Sequence, residues 1–183
     1  MYDKFRSIIK SGHFKIVFWC SLLALVLIIA FRVPARLVAH NIDQNSDLPV
    51  DVLALSRDVD WSAYEVEYGF GMRSYYLTQP DGAMLRFDVS RWPGAFWGKP
   101  RVDYVVCTDL SYSVFGFSVG DPLSFAKETL RKHGFIITED ASDRGFQCRK
   151  FSVIISCWSD EKTGKIKEIT IHVPGTNIIP IVY

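Results

Sequence analysis

Cysteine and histidine are scarce in this chain, and their spacing excludes most of the chemistry they support. The four cysteines are Cys20, Cys107, Cys148 and Cys157. Cys20 sits inside a long apolar run, which leaves three for the rest of the chain. Three sparse cysteines are not a disulfide framework; one bridge or three reduced thiols both remain open. Cys148 and Cys157 could bridge only if the chain folds back between them. The histidines are His13, His40, His133 and His172. No His-x-x-x-His or Cys-x-x-Cys spacing occurs, and Asp58-Val59-Asp60 is the one Asp-x-Asp, so no metal site and no cofactor are expected. Gly116-Phe117-Ser118-Val119-Gly120 matches the letters of a Gly-x-Ser-x-Gly elbow, whereas no phosphate-binding Gly-x-x-x-x-Gly-Lys-Ser/Thr loop occurs. Gly69-Phe70-Gly71 lacks the third glycine and the following helix of a dinucleotide site, and reads as a bulge or bend between strands. A strong excess of one charge is also missing. The formal net charge is +1, which gives no electrostatic reason to expect a nucleic-acid partner.

Apolar residues, by contrast, are plentiful. They make up 49% of the 183 residues, and aromatics 14%, a composition that argues for a packed core over disorder. The longest apolar run, Ile16 to Phe31, contains no charge. As a helix it would extend about 24 Å, somewhat less than the ~30 Å hydrocarbon core of a bilayer. Lys15 and Arg32 flank it and could extend it by snorkelling. The expectation is an uncleaved signal-anchor: a basic cytoplasmic tail over 1–15, a transmembrane helix over 16–33, a juxtamembrane stalk over 34–48 and an extracytoplasmic domain over 49–183. The lipid bilayer would be a partner through Ile16 to Phe31. The excess of Lys4, Arg6, Lys10 and Lys15 before the run places the N-terminus in the cytoplasm and the domain outside. Cleavage after Ala39 fits poorly because Leu37 falls where a small residue is wanted, and cleavage after Ala35 because Pro34 adjoins the cut and Arg36 follows it. Trp19 likewise disfavours lipidation at Cys20.

Pro34 is expected to stop or kink the helix. Residues 49–58 could form a short helix led by Pro49, or a strand. From Tyr64 the β signal dominates. Tyr64 to Tyr68 alternates at period two. Arg73–Thr78 and Ala83–Val89 flank a Pro-Asp-Gly turn and read as a hairpin. Arg101–Cys107 reads as a further strand. Asp121-Pro122 then suits a helix start, with Leu123, Ala126 and Leu130 on one face and Gly134 ending the helix. His133 would be a cation in its last turn. Strands are expected from Phe135, over Phe151–Trp158 and over Lys165–Val173. In the last, Ile169, Ile171 and Val173 oppose Glu168, Thr170 and His172.

The order helix, strands, glycine-containing turn and closing strand recurs over about 49–107 and 119–173, an internal-repeat pattern. Within the second half, Phe115-Gly116-Phe117-Ser118-Val119-Gly120-Asp121-Pro122, the helix, Lys132-His133-Gly134-Phe135 and Gly164-Lys165-Ile166-Lys167-Glu168-Ile169-Thr170-Ile171 resemble β-lactamase-inhibitor-like and SmpA/OmlA-like extracytoplasmic modules. That resemblance covers about a third of the chain. It implies an α+β fold with one or two helices on one face of a mainly antiparallel sheet, often duplicated; those modules themselves act by binding other proteins.

No residue is nominated as catalytic. Asp121 reads as a helix cap, and His172 as a strand residue on a polar face. The positive signal is Ser90 to Pro100, a Gly- and Pro-rich loop whose Trp92, Phe96 and Trp97 form a candidate binding loop. The functional expectation is a membrane-anchored binding or structural module with an envelope protein partner. The alternatives are a hydrolase-like enzyme using Asp121 or His172, and a ligand-binding sensor ectodomain.

Overall fold

A computed structural model describes residues 12–52, 61–69, 72–90, 101–141 and 144–173. The chain divides into two compact units, residues 1–34 and 35–183. Among the described residues the fold is dominated by strands: ten of them, with three helical segments.

The first helix, α1, spans Gly12–Gln44 and includes Pro34. Two sequence expectations are corrected here. Among the described residues, no helix is long and apolar enough to cross a membrane. The uncharged run is about 16 residues, or about 24 Å of helix, against ~30 Å of hydrocarbon. The transmembrane helix over 16–33 is therefore overturned, and with it the single-pass localisation and its inside–outside orientation. In the first unit Ile16, Val17, Phe18, Trp19, Leu22 and Leu23 are exposed. The second correction concerns the stalk over 34–48, which is largely helical. In the second unit Val38, Ala39 and Ile42 are fully buried, and Val38 and Ile42 belong to the core. The spacing of Val38 and Ile42, one turn apart, gives that part of the helix an apolar stripe.

After α1 the chain is tied down by backbone bonds. The Val52 N–H donates to Asp43 Oδ1 at 2.6 Å. The Phe115 N–H donates to the Asn45 carbonyl, and the Asp47 N–H to the Ser113 carbonyl. Val50 and Val52 are buried; the remainder of the short element expected over 49–58 lies outside the described residues.

The principal sheet has eight antiparallel strands: β1 (Glu65–Gly69), β2 (Met72–Thr78), β3 (Met84–Ser90), β4 (Arg101–Cys107), β7 (Ile136–Asp140), β8 (Gly145–Lys150), β9 (Val153–Ser159) and β10 (Ile166–His172). Their order is β1-β2-β3-β4-β10-β9-β8-β7. Two four-stranded meanders thus meet where β4 pairs with β10, Ile169 opposite Cys107 and Ile171 opposite Val105. A small hairpin, β5 (Ser113–Val114) with β6 (Phe117–Ser118), lies between the meanders in sequence. The helix α2 (Leu123–Lys132) follows it and buries Leu123, Ala126 and Leu130.

Strand periodicity sorts the two faces of the sheet. One apolar row runs through Leu77, Leu85, Cys107, Ile169, Cys157 and Phe146. A second passes through Tyr75, Phe87, Val105, Ile171, Ile155 and Cys148. These rows join the apolar residues of α1 and α2 in one core. This is the inner face of the sheet.

The end of α2 follows its sequence closely. Gly134 takes φ +79°, its N–H bonds the Arg131 carbonyl, and the Phe135 N–H bonds the Leu130 carbonyl. That pair of bonds is the glycine-terminated stop. Its start differs from expectation. Pro122 is the N-cap and no side chain caps the helix. Asp121 instead accepts the Ser118 N–H through Oδ2 at 2.8 Å, closing the preceding turn.

Candidate functional site

The outer face of the sheet carries the polar residues of the same strands. Pairing places Glu67, Ser74, Asp88, Tyr104, His172, Ile154 and Arg149 in one row across seven strands. The adjacent row holds Glu65, Tyr76, Arg86, Val106, Thr170, Ser156 and Gln147. The small members Ser74, Val106, Ser156 and Thr170 are buried. The large ones, Tyr76, Arg86, Tyr104, His172 and Arg149, reach the surface. Long side chains therefore stand over short ones, as on a pleated surface.

Several of these side chains are held in place. Arg86 forms a two-pronged ion pair with Asp88, Nε to Oδ1 at 2.8 Å and Nη2 to Oδ2. The Asp88 side chain is only 4% exposed, against 33% for Arg86, so the buried carboxylate is neutralised by a surface cation. That fork restricts a guanidinium that would otherwise sample many rotamers. The hydrogen bond to Asp88 is the main cause of a raised Arg86 pKa. The guanidinium carbon also lies 5.8 Å from the centre of the Tyr76 ring, a cation–π distance. The Tyr76 hydroxyl donates to Glu67 Oε2 at 2.8 Å, and this bond is the chief reason its pKa is raised. The result is a connected surface network, Glu67–Tyr76–Arg86–Asp88.

Across the β4–β10 seam, Tyr104 and His172 meet edge to face with ring centres 6.0 Å apart. Loss of water around the imidazole lowers the His172 pKa, and Asp103 acts in the opposite sense. Burial thus favours the neutral ring, in which one nitrogen can donate while the other accepts.

The other sequence candidates are placed as follows. Trp92, Phe96 and Trp97 lie outside the described residues; the segment that carries them leaves β3 at Ser90 and re-enters β4 at Arg101, which are paired neighbours. Phe70 and Gly71 also lie outside them, while Gly69 and Met72 on either side are paired. His133 stacks on Phe115, ring centres 4.4 Å apart. Arg131 and Lys132 lie in the last turn of α2, and Lys150 Nζ donates to the His133 carbonyl at 2.6 Å. Asp121 lies in the turn before α2 and His172 at the end of β10, and among the described residues no hydrogen bond joins them. Among the described residues, no group of three His, Cys, Asp or Glu side chains is arranged to hold a metal ion.

The chain does fold back between Cys148 and Cys157. They occupy neighbouring strands on the inner face, Cys148 opposite Ile155 and Cys157 opposite Phe146. Both are free thiols, as is Cys107. Burial pushes Cys107 up to about 11 and Cys148 up to about 12, and Cys157 well above its usual value. These are core thiols without nucleophilic character at neutral pH.

Sequence reasoning missed the outer-face network. Its signal was present in Arg86 and Asp88 at i, i+2 on a strand, which places both on one face.

No protein-family model matches the chain, and no curated protein matches it. Among solved structures it is similar to the 1.5 Å crystal structure of an extracellular protein containing a SCP domain from Bacillus anthracis str. Ames, with a TM-score of 0.41 and 9% identity. The match takes in 59% of this chain and 38% of that one. A likeness at that level carries no argument about function.

Proposed function

We propose that the chain is a non-catalytic recognition module that binds another protein through the outer face of its sheet. The observation that carries this reading is the preorganised network Glu67–Tyr76–Arg86–Asp88, set beside the Tyr104–His172 pair on the outer face. Tyrosine and arginine are the side chains that contribute most per residue at protein interfaces. Here they are already held in place, so less side-chain freedom is lost on binding.

The test is co-purification of the tagged full chain from its own cells, comparing the unaltered protein with Tyr104→Ala and His172→Ala. Both substitutions lie at the surface, so the thermal midpoint should stay within a few degrees. A defined partner should be lost from both variants. Retention of that partner by both would refute the reading.

A further inference from the structure

The two edges of the eight-stranded sheet are built differently. At one edge, β7 has a register irregularity between Ile137 and Glu139. It lies beside α2, whose Lys127 clamps both carboxylate oxygens of Asp140 at 2.9 Å. A bulge, charges and a neighbouring helix are the usual means of keeping a sheet edge from recruiting another strand. At the other edge, β1 has none of these but charge. Its five residues pair with β2 in unbroken register, and none is proline or lysine. All five are exposed, and no described strand lies on its outer side.

The side chains of β1 make this edge more than unprotected. Glu65 and Glu67 project on the outer face and Val66 and Tyr68 on the inner one. Val66 is 37% exposed, Tyr68 71% and the neighbouring Met72 39%. An edge merely blunted by charge would not leave three apolar side chains open beside free backbone. The Arg73 guanidinium lies over the Tyr68 ring, 5.2 Å from its centre, a cation–π distance. The edge thus presents backbone donors and acceptors, an acidic pair two residues apart and an apolar pair two residues apart.

We propose that the outer edge of β1 is a strand-addition site for an extended polypeptide segment with basic side chains at alternate positions and apolar ones between. The added strand would bond to the outward-facing N–H and C=O groups of β1. Its cations would lie against Glu65 and Glu67, and its apolar side chains against Val66 and Tyr68. Glu67 is shared with the network around Arg86, whereas Glu65 is not, so Glu65→Gln reads this edge without disturbing that network.

The probe is the peptide Lys-Val-Lys-Val-Lys-Val-Lys, added to the full chain. Binding is read by titration, and its location by amide hydrogen exchange. The proposal expects new protection confined to residues 65–69. It expects affinity to fall at least tenfold for Glu65→Lys/Glu67→Lys and several-fold for the milder Glu65→Gln. A peptide N-methylated at alternate residues, which cannot complete the ladder, should bind at least tenfold more weakly. Equal binding by the N-methylated peptide overturns the proposal, as does equal binding by Glu-Val-Glu-Val-Glu-Val-Glu. Protection located anywhere but β1, or no binding at all, overturns it as well.

Discussion

Arg86 and Asp88 stand on the same side of one strand, and their ion pair joins a buried acid to a half-exposed base. Such a pair adds little net stability when intact, because burying the carboxylate costs hydration. Removing only the base is another matter. Arg86→Ala leaves Asp88 buried without its partner, and is expected to cost about 1–3 kcal/mol after allowance for the exposure of Arg86. The double substitution Arg86→Ala/Asp88→Ala should recover part of that loss, measurable by denaturant unfolding of the three variants. His172 sets a pH dependence of known sign. Its folded pKa lies below the ordinary 6.5 because the ring is partly desolvated. The folded chain therefore resists protonation that the unfolded chain accepts. The stability contributed by the neutral ring is complete above about pH 6.5 and declines as pH falls through the lower folded value. Thermal midpoints between pH 7.5 and 5 should drop less steeply in His172→Gln than in the unaltered chain.

At the scale of elements, the part of α1 beyond Pro34 is a structural member of the second unit. Ile42 is fully buried beneath the sheet. Ile42→Ala should destabilise the domain by about 2–5 kcal/mol, whereas an unstructured stalk would show no change in the unfolding midpoint. The composition of 34–48 concealed this role, because Pro34 and the polar cluster at 41–47 carry the local signals of a loop, and tertiary burial of Val38, Ala39 and Ile42 outweighs them. Elsewhere local chemistry was sufficient. The Pro-Asp-Gly turn between β2 and β3 and the glycine stop of α2 lie where their residues require, since each depends on a few neighbouring dihedrals. The strand β8 was not anticipated. Its hairpin with β9 turns at Phe151-Ser152, without Gly, Asn or Pro, and Phe151 itself adopts φ +54°. A turn that places an aromatic residue in the left-handed region gives no sequence warning. The outer-face network was hidden for a different reason. Glu67, Tyr76, Arg86 and Tyr104 come together only through strand register, which single-strand patterns do not specify.

For the whole molecule, the β4–β10 seam joins two meanders into one sheet and gives them one core. Cys107, Cys148 and Cys157 lie in β4, β8 and β9, on both sides of that seam. If the two meanders open together, the three thiols should react with a thiol reagent at a common rate that tracks global unfolding across a denaturant series. Separate rates would show that one meander opens alone. The same seam brings Tyr104 of one meander against His172 of the other, so the proposed recognition face exists only when both are joined.

The most direct test of that face is photo-crosslinking in the protein's own cells, with a benzophenone side chain placed at Tyr104, at His172 and, as a control, at the exposed Glu161 in the turn between β9 and β10. The account predicts one discrete adduct shared by positions 104 and 172 and absent at 161. Adducts of equal yield at all three positions, or at 161 alone, would contradict it.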